Sequence, residues 1–205
     1  MQRGLPFHPT ATQDRIGEEA IDMKATQQLR YEHEGVKVML NILGQVCKQL
    51  EATGNLNKDH FDGILEFLKV FVDKCHHGKE EKLLFPALIG TGVPEHGPIA
   101  IMLHEHEVGR DFINIMSTAF AGYIAGDISS VADIVQNTRD YIALLRNHIE
   151  KENDGLFVIA DKSLTEIMQD VLFEGFEKIE EEQIGVGKHD EFHKLIEKLS
   201  KIYLS

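Results

Sequence analysis

Two stretches of the chain repeat a pattern of side chains that ligate metals. In Cys75-His76-His77-Gly78-Lys79-Glu80-Glu81-Lys82-Leu83-Leu84-Phe85-Pro86, a His and a Glu stand four positions apart. In a helix that spacing puts both on one face. The same face carries Leu65, Leu68, Val72, Leu83 and Leu84, so His76 and Glu80 point into an apolar core. A carboxylate buried there without a partner is costly, and a metal ion held between the two side chains removes that cost. Alone, such a pair is common on solvated, charged helices. Here it recurs: Asn147-His148-Ile149-Glu150-Lys151-Glu152-Asn153-Asp154-Gly155-Leu156-Phe157 again places a Glu four positions after a His and again runs on to Leu-Phe.

Each copy has a matched piece upstream. Glu32-His33-Glu34 puts a His 43 positions before His76, and Glu105-His106-Glu107 puts one 42 positions before His148. The chain thus contains two half-molecules. Each supplies one His from a first helix and a His plus a Glu from a second, the donor set of a two-metal site in a four-helix bundle. The candidate metal ligands are His33, His76 and Glu80 from one half and His106, His148 and Glu152 from the other.

The elements that position these residues show in apolar steps of three and four. Over about residues 21–52, Leu29, Val36, Leu40, Leu43, Cys47 and Leu50 form a seam whose one gap is filled by His33. Thr53-Gly54-Asn55 closes that helix, and Asn57 or Asp59 caps the next. Its seam is predicted to run Leu65, Leu68, Val72, His76, Glu80, Leu83, Ala87, with Gly78 either relieving crowding near the site or lying neutrally on the surface. A loop over 89–98 follows, with His96 facing solvent and Pro98 suited to a first helical turn. The third helix presents Ile99, Met102, His106, Gly109, Ile113, Met116 and Phe120, while His104 points elsewhere. Ser129 and Ser130 mark the next cap, and the fourth seam is Ile134, Tyr141, Leu145, His148, Glu152, Leu156, Ile159. Beyond residue 160 a capping box of Ser163 and Glu166 opens a helix with Ile167, Val171, Leu172, Gly175 and Ile179. After Gly185-Val186-Gly187 comes a last one with Phe192, Leu195, Leu199 and Ile202. His189 and His193 read as surface histidines. No strand-type alternation appears. The expected fold is all-α: an up-down-up-down four-helix bundle with dimetal site over 21–162, an N-terminal arm over 1–20, and C-terminal covering helices over 163–205.

Composition narrows the partners. A chain of 205 residues with 42% hydrophobic content can bury a full core. Its 34 acidic against 21 basic residues give a formal charge of −13, which repels phosphate backbones and anionic lipid, so neither nucleic acid nor membrane is an expected partner. The longest uncharged stretch, 112–126, is too short to cross a bilayer. Two cysteines, Cys47 and Cys75, and no secretory leader predict a reducing, cytoplasmic setting.

With these residues in place, about residues 25–160 resemble the hemerythrin-like, or HHE cation-binding, family of four-helix non-haem iron proteins, and the Gly97-Pro98-Ile99 approach, Glu105-His106 and Arg110 resemble its bacterial and archaeal branch. The resemblance implies two iron ions, with or without an oxo bridge, held by terminal histidines and bridging carboxylates, with zinc or manganese as substitutes. It also offers His77 as a further ligand, since some members use a polar side chain directly after the same histidine. Two departures separate the chain from the oxygen carriers: Met102 stands where they have a further His, and Glu152 follows His148 by four residues where theirs follows by five. The resemblance therefore implies oxygen, nitric oxide or peroxide as a ligand to be bound or sensed, with the metal nearest His106 one ligand short. Three alternatives stay open: a diiron enzyme of peroxidase or nitric-oxide reductase type with a redox partner, a labile iron donor for iron-sulfur centre repair with a recipient protein, and a metal-free helical interaction module.

Overall fold

The computed structural model describes residues 24–185 and 187–205; the expected N-terminal arm lies outside them, as does Val186 of the last predicted turn. Six helical rods, with no strand among the described residues, make up the fold. Helix α1 is Ala25–Thr53, and α2 occupies 58–90, α-helical over Lys58–Phe67 and Phe85–Gly90 but wound in wider π-helical turns over Leu68–His77 and Glu80–Leu84. Helix α3 is Ala100–Ile124. Helix α4 occupies 130–163, with a single π-helical turn at Glu152–Leu156 between Ser130–Lys151 and Phe157–Ser163. Helices α5 (Glu166–Gln183) and α6 (Lys188–Tyr203) complete the chain.

Local chemistry sets the ends. Gly54 closes α1 at φ 68°, the left-handed position that glycine adopts without strain. The Asn57 side chain accepts from the His60 N–H and so caps α2. Two expected caps are replaced. At α4 the Asp127 carboxylate, not a serine, accepts from the Ser129 N–H and hydroxyl. At α5 Thr165 accepts from the Met168 N–H, while Ser163 ends the preceding helix, so the Ser163–Glu166 box does not form.

Helices α1 to α4 alternate in direction around a square, α1 and α3 packing on both α2 and α4, while α5 and α6 lie across α1 and α2. The predicted seams of α1 and α3 are buried throughout. On α2 the seam departs from its predicted course after Glu80. Leu84 and Leu88 are buried in place of the half-buried Leu83 and Ala87, because the π-helical turn keeps successive inward residues four apart. Such a turn suits Pro86, which cannot donate to the ladder and crowds the carbonyl one turn back. On α5 the inward residues are Gln169, Leu172, Phe176 and Ile179, and the apolar Ile167 and Val171 face outward; on α6 Ile202 does the same. Gly78 is buried beneath Ile179, not on the surface. Gly175 lets α5 lie close to α2, since a Cβ there would sit 2.7 Å from Leu83 Cδ1.

The apolar interior is not continuous. One cluster, including Val36, Leu40, Val72, Ile113, Leu145 and Ile149, fills the bundle towards the α1–α2 turn. Another, including Leu29, Leu84, Met102, Leu156 and Phe176, fills the opposite end. Between them lies a layer of buried polar side chains.

Candidate metal centre

All seven candidate ligands meet in that layer, and all are buried. They form two groups sharing Glu80: His33, His76, Glu80 and Glu152, and His77, Glu80, His106 and His148, each offering ligand atoms within 4.8 Å of one another. The carboxylates span both groups. Glu80 places one oxygen 3.6 Å from His76 Nε2 and the other 3.4 Å from His106 Nε2. Glu152 places its oxygens 3.2 Å from His33 Nε2 and 3.3 Å from His148 Nε2.

Four rings have a fixed tautomer. His76 Nδ1–H donates to Glu32 (2.7 Å), His106 Nδ1–H to Glu81 (2.7 Å), His148 Nδ1–H to Glu105 (3.0 Å) and His33 Nδ1–H to Asn153 Oδ1 (2.9 Å). A carboxylate only accepts, so in each such pair the imidazole proton sits on Nδ1. The Nε2 atoms are then lone pairs aimed at one another, 3.0 Å apart for His33 and His76 and 3.1 Å for His106 and His148. Two acceptors at that distance repel unless a cation lies between them. The four oxygens of Glu80 and Glu152 and both ring nitrogens of His77 have no hydrogen-bond partner, although buried polar groups are ordinarily satisfied. Metal ions held by these histidines would satisfy the carboxylate oxygens and one nitrogen of His77 together. The donor set fits the group.

Without a metal, protons take its place. Burial opposes charge on His106, but the Glu80 carboxylate 3.4 Å away and the hydrogen bond to Glu81 outweigh it and push its pKa up to about 9. His76 and His148 are raised in the same sense by the buried carboxylates. His77 is held well below the ordinary imidazole range, by burial first and then by the neighbouring histidines, so it remains a neutral donor.

The Phe of each repeat backs the opposite half. Phe157 stacks beside His33 (5.5 Å) and Phe85 beside His106 (5.9 Å). His77 stacks on His106 at 3.8 Å and so stands with the donors on the His106 side. The implied shortage there is therefore not what the structure has. Met102 is buried in the apolar end cluster, and the half with fewer imidazoles is that of His33 and His76. His96 and His104 are exposed, as expected. His189 and His193 are half-buried instead of on the surface, with the Glu180 carboxylate 3.8 Å from His189.

The outer carboxylates were not among the candidates. Their signal was present: the Glu before each seam His, Glu32 and Glu105, recurs in both halves, and so does a Lys three positions after each later His. Lys79 donates to Glu32 at 2.5 Å and Lys151 donates to Glu105. Cys47 and Cys75 are buried free thiols, and burial raises the pKa of each, which leaves them unreactive.

A four-helix bundle whose core is interrupted by five imidazoles and two carboxylates belongs to the class of helical metal-binding bundles. The hemerythrin HHE cation binding domain matches residues 24–160, and the chain belongs to that family. Searches of curated proteins and of solved structures gave no match. Helices α5 and α6 lie beyond the matched region. Among the described residues no helix is long and apolar enough to cross a membrane.

Proposed function

We propose that this cation-binding domain holds two iron ions, one at His33 and His76 and one at His77, His106 and His148, with Glu80 and Glu152 contributing to both. The observation that carries the reading is the pair of facing Nε2 lone pairs, each flanked by carboxylate oxygens without partners. Imidazole and carboxylate donors suit iron or manganese and also accept zinc. Bound iron would supply redox chemistry and a coordination position for a small ligand.

The chain's own residues prepare the site. The hydrogen bonds at Nδ1 fix each ring and keep its Nε2 lone pair turned inward. Val36, Val72, Leu145 and Ile149 wall the small gap beside the histidines, an apolar surround that keeps water out, and the ligand we propose, oxygen, nitric oxide or peroxide, would take a coordination position on the metal itself. With two imidazoles against three, the His33–His76 side has room for that ligand. Burial of every donor favours retention of iron over its donation to a recipient protein. Binding or sensing differs from turnover as a peroxidase or nitric-oxide reductase only in the need for an electron donor.

Anaerobic metal analysis joined to an ultraviolet-visible spectrum before and after oxygen and nitric oxide tests the proposal. Two metals per chain and spectral changes with either gas are expected, with metal lost as the pH falls through about 6, where imidazoles take up protons. Freshly purified protein without stoichiometric metal would sink it.

A further inference from the structure

We infer that Glu180, on α5 outside the matched family region, is a positioning residue for the His33–His76 half of the site, acting through Lys79 and Glu32 on the ring of His76. The inference rests on the two-metal reading above. It starts from a continuous run of polar contacts: His76 Nδ1 to Glu32 Oε2 at 2.7 Å, Glu32 Oε1 to Lys79 Nζ at 2.5 Å, and Lys79 Nζ to Glu180 Oε2 at 3.0 Å. Every link but the last lies within the bundle. Lys79 is 0% exposed, an uncommon place for a lysine, and its ammonium faces two carboxylates from different helices. In the other half the equivalent Lys151, on Glu105, is 40% exposed. There the lysine faces solvent, where Lys79 faces Glu180.

Glu180 is held where it is. Helix α5 seats Gly175 against Leu83 and Ile179 over Gly78; the Phe176 ring lies 6.0 Å from the Lys79 ammonium; and Gln169 accepts from the Ala25 N–H at the start of α1. The carboxylate that orients a metal-binding imidazole also sets how strongly that ring donates. With Glu180 charged, Lys79 is shared between two anions and Glu32 keeps its strength as an acceptor from His76. With Glu180 neutral, the ammonium is drawn onto Glu32 alone, Glu32 accepts more weakly, and His76 Nε2 becomes a poorer donor. The C-terminal helices thereby distinguish two metal positions that the repeat alone would make nearly alike.

Cobalt(II) loaded into the full chain tests this, because each imidazole N–H near the paramagnetic ion gives its own shifted, solvent-exchangeable proton resonance. Glu180→Gln keeps the size and packing of the side chain and removes only its charge. It is expected to move one of these resonances, to leave the rest in place, and to speed the loss of one of two metals to a chelator by about 3- to 10-fold, below the range for a directly bonded outer carboxylate. Lys151→Gln is expected to move a different resonance. A purely structural Glu180 makes Glu180→Gln silent, so no shifted resonance, a uniform shift of all, or the same resonance moving in both variants overturns the inference. Wild-type protein that fails to take up cobalt would instead overturn the two-metal reading, before any variant is compared.

Discussion

Contact for contact, Glu32, Lys79 and His76 in one half correspond to Glu105, Lys151 and His148 in the other. The halves also interlock, since Glu80 reaches His106 and Glu152 reaches His33. At the site they differ in two equivalent side chains, and they differ in their surroundings. His77 corresponds to Ile149 and Glu81 to Asn153, so one half gains an imidazole and a charged partner for its cross-half histidine. The half with Lys79 is roofed by α5, and the half with Lys151 is open to solvent. A repeat fixes the inner ring of donors, and single substitutions with one added helix make its two positions chemically unequal.

Removing what the halves share should do most. Glu80→Ala takes a carboxylate from both groups, and Glu152→Ala removes the oxygens beside His33 on one side and His148 on the other. Either is expected to lower the affinity for both metals by more than the ~10–100-fold of an outer-carboxylate change, read by metal analysis after dialysis. His76→Ala and His148→Ala should lower stoichiometry to a similar degree as each other. Full metal retention in both histidine variants would sink the ligand assignment.

The outer carboxylates should separate the halves. Glu32→Gln leaves the buried Lys79 with half of its countercharge, and breaking such a buried pair costs about 3–5 kcal/mol. Glu105→Gln breaks a pair whose lysine is exposed and should cost about 1 kcal/mol or less. Denaturant midpoints of the metal-free variants check this, and equal losses would mean that α5 does not seal one half as described.

Much of this was legible in the sequence, because it depends on spacing. Six donors fall in apolar seams at steps of three and four, and a buried His or Glu interrupting such a seam at matched places in two repeats leaves little freedom in where it points. What spacing does not carry is a change in the helix itself. His77 turns inward because α2 widens into π-helical turns around it, a feature that gathers at functional sites but has no sequence period of its own. Glu32 and Glu105 stood in view as repeated neighbours of seam histidines, yet which ring each holds depends on the partner helix. Ile167 and Val171 were apolar without being inward, since the face α5 presents is set by the contact of Gly175 with Leu83.

A pH measurement sharpens the difference between Glu81 and Asn153. In the metal-free protein the pKa of His106 is raised to about 9, so the folded state binds its proton more tightly than the unfolded chain. The resulting stability is fully present below about 6.5, the unfolded value, and is lost as the pH rises through about 9. Metal-loaded protein should show the opposite slope below neutrality, since protons compete with the metal for the same nitrogens. Glu81→Asn copies the other half and should shrink the loss between pH 6.5 and 9. An unchanged slope would mean that Glu81 does not set the charge on His106.

The smallest effect on metal retention is expected at His77. Its loss leaves His106, His148 and two carboxylates on that side, the same donor count as the His33–His76 side already has. His77→Ala should therefore keep both metals while changing what else can bind. In the wild type the side with two imidazoles is the one with room for an added anion, so azide should bind at one position per site. In His77→Ala the halves match in donor number, and a second azide should bind at a higher concentration. Spectroscopic titration of the oxidised protein reads this directly: one transition becoming two supports the unequal halves. A single unchanged transition, with both metals retained, would show that the His77 ring blocks no position and that the asymmetry between the halves lies only in their outer contacts.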